Sequence, residues 1–417
     1  MKPCLLFISP IIPAPGGAGA AMRPYYQIIN LSRIYSIHLI IAGTTSGKPV
    51  YSDDIKKYCD TIDYVCRFRY SSWKYSLWFR YKLLSEILKQ LINGIPISFA
   101  VDIADRNYLM HNGTLKKIAG MNFDRVHVFR LYLTPIAEVL KNLGLKSFYT
   151  LDIDDMESEA RRSIGSLYAQ NGHPVTAARL YNESTAYFNV EMKSLPEYDE
   201  IFACSRRDRD VLKKRFPYKI ITVLPNVVPL QKRETPPLGN RVFTMLFVGT
   251  LDYYPNTDAL IYFVDKILPV LRKNMRGQWR LRIVGVIPQK TWIKRLKKIP
   301  EMDFVGRVEE LCPEYNAADI VVVPVRGGGG TRIKILEAFA NGVPVVSTSM
   351  GCAGLEVENE IHLLIADDAG DFAAACMRLM TDSTIRDEIS RRAFDLAASK
   401  YCPEIVNSAW SGLYEKT

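Results

Sequence analysis

No apolar run in this chain approaches the ~18–20 residues needed to cross a bilayer. The opening MKPCLLFISP also has too short an apolar stretch for a secretory leader and no small-residue cleavage site. The reading from sequence is an unprocessed, cytoplasmic protein. Paired cysteines are lacking as well: the eight are scattered singly, with neither C-x-x-C spacing nor a histidine partner. That argues against a zinc module or a disulfide framework and for free thiols in a reducing compartment. Zinc-finger spacing and RNP-type aromatic strands are missing too, so nucleic acid is not an expected partner. The dinucleotide fingerprint is incomplete. Gly17-Ala18-Gly19-Ala20-Ala21-Met22 has no third glycine, and the strand ending at Ala42-Gly43 closes without the acid that holds a ribose. An NAD-dependent function is disfavoured on those grounds.

What is present is a chain of 417 residues, 48% hydrophobic, with a formal net charge of +10. It is long enough for two or three cored domains, and its basic balance suits a negatively charged partner such as an anionic membrane or a phosphorylated substrate. The strand-like CLLFIS is followed by the loop PIIPAPGGAGA, the periodic AMRPYYQIINLSRI and a second strand, SIHLIIAG. Strand, turn, helix and strand in that order imply a parallel sheet. Further strands are expected at RVHVFRLYL, SFYTLDI, EIFACS and KIITVLPN, and PLQKRETPPLGN reads as a linker. The alternation restarts at VFTMLFVGTL and continues through WRLRIVGV, DFVGRV, DIVVVPV, VPVVSTS and HLLIA. The expected fold is therefore α/β, with two Rossmann-like, doubly wound parallel-sheet domains facing a cleft. Their bounds are 1–228 and 241–398, joined by a linker at 229–240. The tail 399–417, broken from the preceding helix at Pro403, can pack back on the first domain.

The stretch PVRGGGGTRIKILEAFANG leaves the end of a strand and opens a helix. Four consecutive glycines, Gly327 to Gly330, let a ligand or another backbone come close and turn amide N–H groups outward. A helix start near Thr331 adds a positive dipole end, which favours phosphate. Arg332 and Lys334 in its first turn oppose that dipole unless an anion is present. The alternative is a mobile surface loop with two solvated cations. Glu337, one turn further in, can accept two hydroxyls of a sugar ring, or can pair with Lys334 or Arg332 for little energy.

From MLFVGTLDYYPNTDAL through FVGRVEELCPEYNAADIVVVPVRGGGGTRIKILEAFANGVPVVSTSMGCAGLEV, the chain resembles the retaining glycosyltransferases of family 4, which have the GT-B fold. SPIIPAPGGAGAAMRPYYQIINL and LDIDDMESEARR extend the likeness into the first half. The resemblance implies a nucleotide sugar in the cleft, with the second Glu of an E-x7-E motif on the ribose and the first on the transferred sugar. Glu337 matches the second; the first falls on Gly329. Sugar recognition is then expected from the backbone of Gly329, Gly330 and Thr331. The basic pair that many members carry after the first strand of this domain falls on Thr250 and Asn256, so Arg332 and Lys334 are the expected substitutes at the diphosphate, with Arg326 a further candidate. Gly249 and Gly328 complete the donor loops, Arg307 and Val308 are expected near the base, and Gly16, Gly17 and Gly19 resemble the family's loop near the diphosphate and acceptor.

Asp152-Ile153-Asp154 also resembles the metal-binding D-x-D of the other glycosyltransferase fold, where carboxylates hold Mg2+. The competing readings are a helix start, with Asp154 as N-cap and Glu157 as its capping-box partner, or an acceptor-facing role. No metal is expected as a requirement. His127, Arg130 and Asp155 join Asp154 and Glu157 as candidates for the acceptor side of the cleft, although a lone strand histidine is more often structural. Residues 67–92 interleave cations with aromatic rings, which suits either a core-packed helix or an anionic membrane surface. The expected function is transfer of a hexose-type sugar from a nucleotide-diphosphate donor to a glycan or lipid-linked acceptor, by a protein peripheral to the inner face of the membrane if 67–92 binds lipid. The rivals are a sugar-nucleotide epimerase and a catalytically silent binding subunit.

Overall fold

The computed structural model describes residues 2–16, 19–44, 53–68, 103–231, 242–275, 279–288 and 291–414. The chain divides into two compact units: Met1–Pro225 with Asn407–Thr417, and Asn226–Val406. Residues 226–231 and 399–406 thus group with the second unit, where Val228 N–H donates to Tyr401 O and Gln231 N–H to Ala340 O. From Asn407 onward the chain belongs to the first unit, and the Trp410 ring lies 5.4 Å from that of Phe202. Most of the linker stretch, and of 67–92, lies outside the described residues. Arg67 is buried, with its guanidinium 5.1 Å from the Tyr132 ring.

In the first unit the strands are β1 Cys4–Ser9, β2 Ser36–Gly43, β3 Thr61–Cys66, β4 Arg125–Phe129, β5 Phe148–Asp152, β6 Glu200–Ala203 and β7 Ile220–Val223. Among the described residues they form one parallel sheet in the order β3-β2-β1-β4-β5-β6-β7. A parallel sheet covered on both faces needs apolar residues at every position rather than at alternate ones, and Leu5, Leu6, Phe7 and Ile8 are all fully buried. The run RVHVFRLYL is a shorter strand than its composition suggests. Arg130 has φ +83, which ends extension, and Leu131–Leu133 closes into a 3-10 turn.

The second unit holds β8 Phe243–Val248, β9 Trp279–Val284, β10 Met302–Gly306, β11 Ile320–Val323, β12 Val345–Ser347 and β13 Leu364–Ile365. Their order is β10-β9-β8-β11-β12-β13, again parallel. Chain order reverses between β1 and β4 in the first sheet and between β8 and β11 in the second. At such a reversal the connections leave to opposite faces, and the carboxyl ends of the two strands border a crevice.

The carboxyl rim of the second sheet is built of backbone. Gly249 N–H donates to Val284 O at 2.9 Å, and Gly285 N–H to Gly306 O at 2.8 Å. Gly285 has φ +138, and a Cβ there would lie 2.3 Å from the Gly249 carbonyl oxygen. A side chain would wedge the rim apart as well as strain its own backbone. Gly285→Val should therefore lower the unfolding free energy by at least about 1–3 kcal/mol, read as a fall in the urea midpoint. An unchanged midpoint would show that the rim tolerates side chains.

Candidate functional site

The glycine-rich loop follows β11 and faces the end of β8 across the reversal point. The helix it opens runs from Ile333 to Ala340, with Arg332 in the N-cap position and no side-chain cap bond. Arg332 thus sits just outside the first turn rather than within it. Its guanidinium folds back over the loop, donating to the carbonyls of Gly329 and, at 3.1 Å, Gly327. Gly328 has φ +109, and a Cβ there would stand 2.9 Å from Arg332 Nη2 and 3.1 Å from the Tyr253 hydroxyl. Part of what approaches the glycines so closely is therefore their own chain. Arg332 Nε is enclosed with no hydrogen-bond partner. The Thr331 hydroxyl accepts from Asn226 Nδ2, and Thr348 Oγ1 donates to Val325 O, pinning the loop's stem.

Lys334 and Glu337 lie one turn apart on this helix. The Lys334 ammonium donates to Asn256 Oδ1 at 2.9 Å and stands 5.3 Å from the centre of the Phe247 ring. Asn256 in turn donates to Thr250 O at 3.0 Å. The ammonium therefore reaches Asn256, and through it the Thr250 carbonyl, at the two positions where the expected basic pair is missing. Burial, reinforced by nearby Arg332 and opposed by Glu337, lowers its pKa to about 7. The Glu337 carboxylate accepts the Tyr315 hydroxyl at 2.8 Å, and the same hydroxyl lies 3.2 Å from Lys334 O. Burial raises the Glu337 pKa, against the Tyr315 hydrogen bond and the Lys334 charge. Both Lys334 and Glu337 keep part of their surface accessible. An acid and a base each pushed toward neutrality at an accessible strand end are a functional-site signature.

Arg326 is a correction. Its guanidinium makes a two-pronged contact with buried Asp258, at 3.0 and 2.6 Å, and lies 4.5 Å from the Tyr262 ring. It anchors the loop's stem to the helix that begins at Tyr254, its charge matched by Asp258. Arg307 is exposed after β10, and Val308 packs against the core of this unit. Tyr315, Asp258 and Asn226 were not singled out from sequence, and Asn256 only as a position where the basic pair is missing. Tyr315 lies in YNAAD, where an aromatic reads as core packing, and it is indeed 1% exposed.

In the first unit the candidates separate. His127 is a core residue, not a cleft residue. It is fully buried in β4, with Nδ1 2.9 Å from Thr150 Oγ1 and its ring 4.8 Å from that of Phe7. Burial and the Arg125 and Arg23 charges lower its pKa to about 3, so the imidazole is neutral. Asp154 is not an N-cap either. The helix Glu157–Gln170 is preceded by Met156 without a side-chain cap bond, and Asp154 has φ +50. Its carboxylate meets Arg130 at 2.5 Å, while Asp152 accepts from Arg23 Nε at 2.9 Å and from Gln27. Guanidinium groups occupy these carboxylates, an arrangement unlike a cation site. Glu157 lies 3.7 Å from Arg130. Two non-glycine residues in left-handed conformations, joined by an ion pair at the ends of β4 and β5, concentrate strain where function often resides. Asp155 N–H turns back to Ile153 O at 2.5 Å. Gly16 has open space where a Cβ would stand, Gly19 begins the helix Gly19–Ile34, and Gly17 lies outside the described residues.

Comparison with known proteins bears on the family and the fold. Residues 242–382 match the family model of glycosyl transferases group 1. An exopolysaccharide phosphotransferase of Streptomyces coelicolor is 26% identical over 201 residues, 46% of this chain and 20% of that protein. An uncharacterized 44.6 kDa protein of the cps region of Klebsiella pneumoniae is 28% identical over 172 residues, 40% of this chain and 44% of that protein. The chain thus spans less than half the length of these curated relatives. The structure of Anabaena HepE in complex with UDP and glucose superposes with a TM-score of 0.62 at 13% identity, covering 99% of both chains. The protein has the GT-B fold, and the stretch of its second unit from 242 to 382 is similar to the glycosyl transferases of group 1.

Proposed function

We propose that the chain is a glycosyltransferase that moves a hexose-type sugar from a nucleoside-diphosphate donor to a glycan or lipid-linked acceptor, with retention. The observation that carries this reading is the Glu337 carboxylate, held by Tyr315 one turn inside a glycine-lined rim, with the Lys334 ammonium beside it. Glu337 takes the ribose hydroxyls. Lys334, Arg332 and the uncapped helix end meet the diphosphate, and the backbone of Gly328 to Thr331 lies along the phosphates and sugar. HepE was captured with UDP and glucose, and the names of the two curated relatives speak of exopolysaccharide and of a cps region. These support a place in surface polysaccharide synthesis.

In the reaction the bond from the anomeric carbon to the diphosphate breaks and a bond from the acceptor oxygen to that carbon forms on the same face. The acceptor proton passes to a leaving phosphate oxygen, so the protein need supply no general base. Its part is to position both substrates and stabilise charge developing on the diphosphate. Cations on the chain meet that charge, and the reading calls for no metal ion. The strained Arg130–Asp154 pair and Glu157 are the acceptor-side residues, suited to sugar hydroxyls. Among the described residues no helix is long and apolar enough to cross a membrane.

Calorimetric titration with UDP, GDP and ADP tests the donor site. One nucleotide should stabilise the native chain. Glu337→Ala should weaken it about ten- to a hundredfold and erase the preference for ribose over 2′-deoxyribose, with Tyr315→Phe intermediate. If no nucleoside diphosphate binds, or Glu337→Ala binds as the native chain does, the donor assignment is wrong. If a nucleotide sugar binds without turnover over any glycan acceptor, the silent-subunit reading takes its place.

The Lys334 charge gives a second test. The ammonium is charged below about 7 and neutral above it, so affinity for a nucleotide sugar, whose phosphates do not titrate near neutrality, should fall as pH rises through about 7. Lys334→Met should flatten that profile. A flat profile in the native chain would remove Lys334 from the diphosphate.

A further inference from the structure

Three side chains close over Gly328. Where its Cβ would stand, Arg332 Nη2 is 2.9 Å away, the Tyr253 hydroxyl 3.1 Å and Pro255 Cγ 3.4 Å. Arg332 is tied to the loop's carbonyls, and Pro255 is buried. Tyr253 differs from both: its hydroxyl is held at the loop while 42% of its surface stays exposed.

Backbone hydrogen bonds set the place of this tyrosine. The connection after β8 is zipped to the connection after β9, with Gly249 N–H donating to Val284 O and Leu251 N–H to Val286 O, both at 2.9 Å. Two residues on, Tyr253 N–H donates to Thr250 O at 3.3 Å, and Tyr253 O accepts from the N–H groups of Asn256 and Thr257 at 3.0 and 3.2 Å. Tyr253 thus caps the helix Tyr254–Tyr262 in an extended conformation, with φ −85 and ψ 116. Asn256, in the first turn of that helix, is the residue that takes the Lys334 ammonium. The ring, the ammonium and the glycines belong to one rim.

Single exposed apolar side chains are ordinary on a protein surface. In the second unit, however, three large apolar or aromatic side chains are exposed among the described residues, and two of them, Tyr253 and Val286, sit on the connections leaving β8 and β9 at this rim. A tyrosine offers an apolar ring face at little cost in conformational freedom while its hydroxyl keeps a polar contact. A sugar ring is made in the complementary way, with C–H groups on a face and hydroxyls around the edge. Gly327 to Gly330 have no side chain with which to meet it.

We propose that Tyr253 is a specificity residue whose ring packs on the C–H face of the sugar of the donor, supplying the side-chain contact that the glycines cannot. The proposal rests on the reading of this rim as the donor site, and adds to it the group that recognises the sugar as distinct from the nucleotide.

Calorimetric titration of the full chain compares UDP with UDP-glucose and UDP-N-acetylglucosamine, GDP with GDP-mannose, and ADP with ADP-glucose. For the set that the native chain binds, Tyr253→Ala should weaken the nucleotide sugar about two- to tenfold. It should leave the bare nucleoside diphosphate unchanged, which also shows that the altered chain is folded. Tyr253→Phe, which keeps the ring, should bind both as the native chain does, and Tyr253→Leu carries the same readout if the alanine variant folds poorly. Equal loss of nucleotide and nucleotide sugar would make Tyr253 a support of the loop and overturn the proposal, as would native-level binding of both by the alanine variant. A loss in Tyr253→Phe as large as in Tyr253→Ala would put the contact on the hydroxyl and contradict the part given to the ring. If the native chain binds no nucleoside diphosphate, the donor-site reading itself falls; intact nucleotide binding with an indifferent Tyr253 sinks this proposal alone.

Discussion

A carboxylate enclosed by protein must be compensated, and the second unit is arranged around that requirement at Glu337. Loss of solvent raises its pKa, while one hydroxyl, from Tyr315, and one ammonium, from Lys334, work the other way. Tyr315 can serve because it is buried between the helix Cys312–Ala317 and the sheet. Lys334 can serve because Asn256, at the start of the helix after β8, takes its ammonium. Each partner comes from a different strand connection. In a parallel sheet those connections all leave from one rim, and the reversal of order sets β8 beside β11 there.

The same constraint explains the glycines unequally. Gly285 is dictated by backbone packing against Gly249, and Gly328 by a left-handed φ beneath the Arg332 guanidinium. The loop is thus braced at two points, by Arg332 above its carbonyls and by the Arg326–Asp258 pair at its stem. Arg332, bonded to carbonyls and carrying an unpartnered Nε, has a strong donor in reserve. Arg326, with a buried partner on two nitrogens, has its charge already matched.

Those two arginines show where the sequence could be read and where it could not. The parallel sheets were legible because buried strands must be continuously apolar, and the loop that opens the helix Ile333–Ala340 because four glycines follow a strand-like run. Whether a cation faces a ligand or a carboxylate depends on residues remote in sequence. Arg326 meets Asp258, 68 positions earlier, and Asp154 meets Arg130 across two strands. Tyr315 escaped because a buried tyrosine reads as packing until its hydroxyl's partner is known. His127 shows the converse: a strand histidine that chemistry would favour is held neutral in the core by its surroundings.

The most direct measurement is a crystal structure of the chain with a nucleoside diphosphate. The account predicts ribose hydroxyls on the Glu337 carboxylate, phosphates along Gly328 to Arg332, and the Lys334 ammonium turned from Asn256 toward a phosphate oxygen. A nucleotide bound elsewhere, with Lys334 still on Asn256 and Glu337 meeting only Tyr315, would contradict it.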